Sequence, residues 1–117
     1  MKRILIAVSM LFMASSMPLA AEKVEGYLVD KMCSAKVLKG GEDAAKGHTK
    51  DCALMPNCKS SGFGVVTTDG KFIKFDADGD KMAVKMLGFE SSKDNIQATV
   101  NGKIEGDTIA VIALQLR

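Results

Sequence analysis

The amino-acid sequence predicts a mainly β protein: a small five-stranded OB-like barrel with one short helix between the third and fourth strands. Two observations support this fold class. Five stretches have the alternation or the β-branched composition of strands, and one stretch between the third and fourth has helical spacing. That order matches a five-stranded Greek-key barrel; another small barrel or a meander is the alternative.

The first three strands are expected in residues 23–30 and 62–76. The segment KVEGYLVD (23–30) alternates and ends at Asp30. The segment GFGVVTTDGKFIKFD (62–76) holds two β-rich runs around Asp69-Gly70, a pair suited to the positive φ angles of a tight turn. Phe63 and Val65 share one face of this predicted hairpin, which indicates a buried side.

The helix and the last two strands follow. Residues 79–89 place Met82, Met86 and Phe89 at helical spacing, with Asp80 positioned to cap the helix start. The segment NIQATVNGK (95–103) alternates, as a half-buried strand does. The segment DTIAVIALQL (107–116) is apolar on both faces, which predicts a strand that is covered on both sides.

Residues 31–61 are expected to form a long Cys/His-containing loop between strands 1 and 2, inserted into a single domain that spans 22–117. Loops longer than about 12–15 residues are uncommon in compact domains and are often functional. In an OB barrel this connection borders the usual binding face. The segment carries the histidine and all three cysteines of the chain.

Residues 1–21 have the plan of a secretory signal peptide. Lys2 and Arg3 form a basic start, an apolar run follows, and small residues precede a predicted cut after Ala21 or Ala20. We therefore expect a periplasmic or secreted protein with no transmembrane segment after the signal is removed. Disulfides form and persist in such compartments.

The charge of the mature chain excludes one class of partner. The whole chain has 16 Lys plus Arg and 14 Asp plus Glu, and removal of Lys2 and Arg3 makes the two counts equal. A neutral domain lacks the basic stripe that binding to nucleic acid requires. We expect an envelope partner or ligand that the sequence does not identify, and no nucleic acid.

A cluster of soft ligands is the strongest functional signal. Three thiols and one imidazole form a known tetrahedral zinc set, and the sulfur ligands also suit copper(I). If residues 48–55 are helical, His48 and Cys52 share one face and Pro56 ends the helix. Met32 and Met55 are additional candidates for copper. The predicted metal ligands are Cys33, His48, Cys52 and Cys58.

Two other interpretations of the cysteines stay open. A disulfide from Cys33 to Cys52 or Cys58 would staple the segment, and the domain would then bind a partner through its face without any metal. Alternatively, the cysteine left over from such a pair would be a reactive thiol in a redox protein. No catalytic motif is found, so a non-enzymatic binding domain is expected. Asp30 is expected to orient the segment or His48.

The chain resembles a group of small exported bacterial OB-like proteins of uncharacterised function. Their pattern runs G-x-x-x-D-x-x-C…H…C…C…G, followed by V-x-G-x-x-x-G-D-x-I-x-V, which matches residues 100–111. The positions that match the first pattern are Gly26, Asp30, Cys33, His48, Cys52 and Cys58. The resemblance implies an exported OB-like domain and no established reaction.

Overall fold

A computed structural model describes residues 21–117, so the predicted signal peptide lies outside the described residues except for Ala21. Five strands and four helices make up this part of the chain. In chain order they are β1 (Glu22–Asp30), α1 (Lys31–Gly47), α2 (Lys50–Ala53), α3 (Pro56–Ser61), β2 (Phe63–Val66), β3 (Phe72–Phe75), α4 (Ala77–Phe89), β4 (Gln97–Glu105) and β5 (Thr108–Leu116).

The strands close into a barrel in the order β1-β2-β3-β5-β4, which confirms the OB-like prediction. All neighbours are antiparallel except β3 and β5, which run parallel. The ring closes because β1 is long enough to pair along its first part with β4 and along its last part with β2. Helix α4 lies between β3 and β4 in the chain, as expected.

The barrel interior is the main hydrophobic core. Strand side chains alternate between the two faces, so Val24, Leu28 and Asp30 share the inward row of β1. Phe63, Phe75 and other apolar side chains of the remaining elements fill the interior. Asp30 therefore ends an otherwise apolar row at one end of the barrel, where it is fully buried.

The prediction of a long irregular loop over residues 31–61 is wrong, because α1, α2 and α3 occupy most of it. Asp30 caps α1, since its carboxylate accepts a hydrogen bond from the backbone N–H of Cys33. Thr49 caps α2 by accepting from the N–H of Cys52. Pro56 begins α3 instead of ending a helix, since proline at the first helical position lacks only an N–H that would be unpaired there.

Helix α1 packs on the outside of the barrel and gives it a second, smaller core. Val29 and Val66 point outward from β1 and β2, and Val37 and Ala45 of α1 cover them. Gly41 interrupts α1 with φ 69° and ψ −154°, a conformation that suits glycine. The interruption lets the second half of α1 turn back toward the barrel.

Helix α4 and strand β5 differ in detail from the sequence prediction. Asp76, not Asp80, caps α4, and the buried face of α4 consists of Gly79, Ala83 and Leu87, while Phe89 is exposed. Strand β5 is covered on one face only, because the side chain of Ile112 is 65% exposed. No helix within residues 21–117 is long and apolar enough to cross a membrane.

Candidate metal centre

The candidate site lies where the end of β1 meets the starts of α1 and β2. Asp30 pairs with Phe63 of β2 and is 0% exposed. Its two carboxylate oxygens are both engaged. Oδ2 accepts from the N–H of Cys33 at 3.0 Å, and Oδ1 lies 2.8 Å from Nε2 of His48. Because a buried carboxylate costs free energy unless it is paired, these contacts explain how the interior tolerates it.

His48 is a hydrogen-bond partner of Asp30. It follows α1 directly, and its side chain is only 7% exposed. The contact that the sequence analysis expected between Asp30 and His48 is therefore present. With the carboxylate ionised, Nε2 of His48 is the hydrogen-bond donor.

Two of the predicted ligands come together beside this pair. Cys33 lies in the first turn of α1, and Cys58 lies in α3, where it is buried. The Sγ atoms of both cysteines and a carboxylate oxygen of Asp30 all lie within 4.8 Å of one another. Asp30, Cys33 and Cys58 thus form a group, called here the Asp/Cys/Cys group, that could hold a metal ion.

The surroundings of the two thiols favour their neutral form. Burial, and then the carboxylate of Asp30, raise the pKa of the Cys33 thiol to about 12 from its ordinary 9.0. The same two causes raise the pKa of the Cys58 thiol. Reactive cysteines have lowered pKa values, so these thiols lack the electrostatics of a redox nucleophile. A bound cation would instead favour the thiolate form, because metal ligation deprotonates a coordinating thiol.

The other predicted ligands lie outside the Asp/Cys/Cys group. Cys52 is exposed in α2 and lines a shallow cleft that also touches Cys33 and His48. His48 and Cys52 do not share a helix, because α1 ends at Gly47 and α2 starts at Lys50. The three cysteines, all within residues 21–117, are free thiols.

One sulfur atom beyond the thiols reaches the group. The thiol of Cys58 donates a hydrogen bond to the Sδ of Met32 at 3.9 Å, and Met32 is the residue next to Cys33 in α1. The backbone N–H of Met32 donates to Oγ of Ser61 at the end of α3, so the two helices are joined at this point. Met32 is nevertheless 57% exposed, so the group lies beside a residue that is in contact with solvent.

Asp30 was expected only to support the site, and the structure makes it a member of the Asp/Cys/Cys group. A signal for this was present in the sequence. An Asp that precedes a helix caps it through the third following N–H, and that residue here is Cys33. Recognising residues 31–40 as a helix would have brought Asp30 and Cys33 together.

Comparisons of the chain with protein-family models, with curated proteins and with solved structures gave no match.

Proposed function

We propose that this protein is a non-enzymatic, exported domain that binds one thiophilic metal ion, zinc or copper. Cys33 and Cys58 provide two thiolates, and Asp30 provides a carboxylate. The observation that carries the proposal is the meeting of these three donors within 4.8 Å around a fully buried carboxylate. Thiolate and carboxylate are both ordinary zinc ligands, and thiolate also suits copper(I).

His48 has a supporting role in this proposal. Groups that hydrogen-bond to ligands fix their orientation, and their loss commonly weakens metal binding by about 10–100-fold. The imidazole holds Oδ1 of Asp30 at 2.8 Å and keeps the carboxylate directed at the two thiols. Location outside the cytoplasm is part of the proposal and is supported by the signal-like composition of residues 1–21.

The closeness of Cys33 to Cys58 also suits a second candidate, a disulfide between them that would join α1 to α3. Such a bridge would add on the order of 3 kcal/mol in the chain-entropy model, because it closes a loop of about 25 residues. The domain would then act through a face of the barrel without a metal. The two candidates predict different masses and different metal contents for one purified sample.

The experiment is metal analysis and intact-mass measurement on protein purified without added metal or chelator. We expect one equivalent of zinc or copper and three free thiols after chelation. Cys33→Ser and Cys58→Ser should each lower metal affinity by more than about tenfold, the least that loss of a supporting group usually costs. Cys52→Ser is the matched control, since that thiol lies outside the group, and it should retain binding. A metal-free protein two hydrogens lighter would overturn the proposal in favour of the disulfide.

A further inference from the structure

Two sulfur atoms at the site have a separation that is compatible with a shared metal ion. Sulfur ligands lie about 2.3 Å from the ion, so two on one ion are about 3.8–4.0 Å apart at angles between tetrahedral and trigonal. The distance from Cys58 Sγ to Met32 Sδ is 3.9 Å. We infer that Met32 is a third sulfur ligand beside Cys33 and Cys58, and that the bound ion is copper(I). This inference rests on the metal-binding function proposed above.

The position of Met32 is not explained by burial. Its side chain is 57% exposed, whereas most large apolar side chains of the domain are enclosed. Its backbone N–H donates to Oγ of Ser61 at 3.1 Å, and its Sδ accepts from the thiol of Cys58 at 3.9 Å. An exposed methionine that is held against a buried thiol contributes little to the core, and a role as a ligand accounts for its placement.

The state of Asp30 favours sulfur over oxygen as the principal ligand type. Oδ1 is engaged by His48 and Oδ2 by the N–H of Cys33. Both oxygens would have to share their lone pairs with a metal, whereas the thiols of Cys33 and Cys58 would give up only their contacts with Asp30, with each other and with Met32 when they lose their protons to bind the ion. Thioether and thiolate ligands select soft ions such as copper(I), and methionine is not among the usual zinc ligands.

The test compares two methionine variants of the protein produced from the full-length chain. Met32→Leu removes the thioether, and Met55→Leu is the control, because Met55 is similarly exposed, at 54%, and lies at the start of α3 and not in α1. Copper(I) affinity is measured anaerobically by competition with bicinchoninate, and zinc affinity by competition with a chromogenic chelator. X-ray absorption at the copper edge reports the ligand atoms directly.

We expect Met32→Leu to lower copper(I) affinity by about tenfold or more, equal to about 1.4 kcal/mol. Zinc affinity should be unchanged, and Met55→Leu should change neither. The absorption spectrum should require three sulfur neighbours in the wild type and two in Met32→Leu. Equal copper(I) affinity in wild type and Met32→Leu would overturn the inference while leaving the thiol-based site intact. Failure of wild-type protein to bind either ion would instead refute the proposed function itself.

Discussion

The carboxylate of Asp30 and the imidazole of His48 join the two ends of α1. Asp30 is the N-cap of this helix, His48 is its C-cap, and their side chains meet at 2.8 Å with both closed to solvent. A straight helix of 17 residues would be about 25 Å long. The ends meet because Gly41 interrupts α1 and turns its second half back. One buried pair therefore closes the helical segment and positions the Asp/Cys/Cys group.

The first prediction concerns His48→Ala, which should destabilise the metal-free protein. The change removes a partner of the fully buried carboxylate of Asp30, and an unsatisfied buried polar group costs about 1–3 kcal/mol. Chemical denaturation in urea should therefore show a lower midpoint. His48→Gln restores a donor and should recover part of the loss. A midpoint for His48→Ala equal to that of the wild type would show that the pair contributes nothing.

The hydrogen bond between His48 and Asp30 limits what the stability of a His48 variant can test. The hydrogen bond to Asp30 makes a loss of stability the expected result of His48→Ala with or without a metal. Metal affinity, and not stability, is the property that separates a metal site from a disulfide.

The second prediction concerns the interruption of α1. Gly41 has φ 69° with open space around the position of a Cβ, so Gly41→Ala meets no steric neighbour. The expected loss in the free energy of unfolding therefore comes from backbone conformation alone. It is about 1–3 kcal/mol for a residue that is forced into a sparsely populated region of φ and ψ. We expect a lower urea midpoint together with weaker metal binding, because the two ends of α1 are no longer held together.

Gly88→Ala is the matched control for that substitution. Gly88 also has open space around its Cβ position, and its φ is negative within α4. Alanine in a helix is more favourable than glycine by about 0.5–1 kcal/mol, so this variant should be more stable than wild type. If Gly41→Ala were as stable as Gly88→Ala, the positive φ of Gly41 would not be a constraint on α1.

The barrel was predictable from the sequence because its signals are local. Each signal depends on residues that are close together in the sequence: the alternation of β1 and β4, the Asp69-Gly70 turn and the helical spacing of α4. Helix α1 was missed for a different reason. Gly40 and Gly41 break the apolar spacing of α1 midway, and its buried face has only Val37 and Ala45. Neither half of α1 is long enough to give a periodic pattern.

The site was predicted only in part, because residue type identifies candidate ligands but not which of them meet in the fold. Cys33 and Cys58 were selected by residue type, and the structure brings them together. Cys52 was selected on the same ground, but it is exposed on α2. The contact of Met32 with Cys58 depends on how α1 packs against α3, and sequence spacing contains no information on that packing.

The third prediction is the order in which the thiols react in the metal-free, reduced protein. Cys52 is exposed, whereas Cys58 is buried and Cys33 partly buried. Burial and Asp30 also raise the pKa of the latter two thiols, which leaves little reactive thiolate. Iodoacetamide at pH 8 should therefore modify Cys52 first, as peptide mapping would show. Similar rates for all three cysteines in 6 M guanidinium are the control, and similar rates in the folded protein would contradict the prediction.

The last prediction concerns alkaline pH in the metal-free, reduced protein. The thiol of Cys33 ionises near 9.0 in the unfolded chain and at about 12 in the folded one. The raised pKa therefore contributes stability that is fully present below pH 9 and is lost as pH rises toward 12, because only the unfolded chain releases its proton in that window. The raised pKa of Cys58 acts in the same direction.

Comparison with Cys33→Ser isolates this contribution, because every other ionisable group is common to the two proteins. The free energy of unfolding from urea denaturation is measured between pH 8 and pH 11 in the presence of a chelator and a reductant. Wild type should lose stability more steeply than Cys33→Ser over this range. Parallel curves for the two proteins would mean that the Cys33 thiol ionises equally readily in the folded and unfolded chain. Burial and the carboxylate of Asp30 would then have no effect on this thiol.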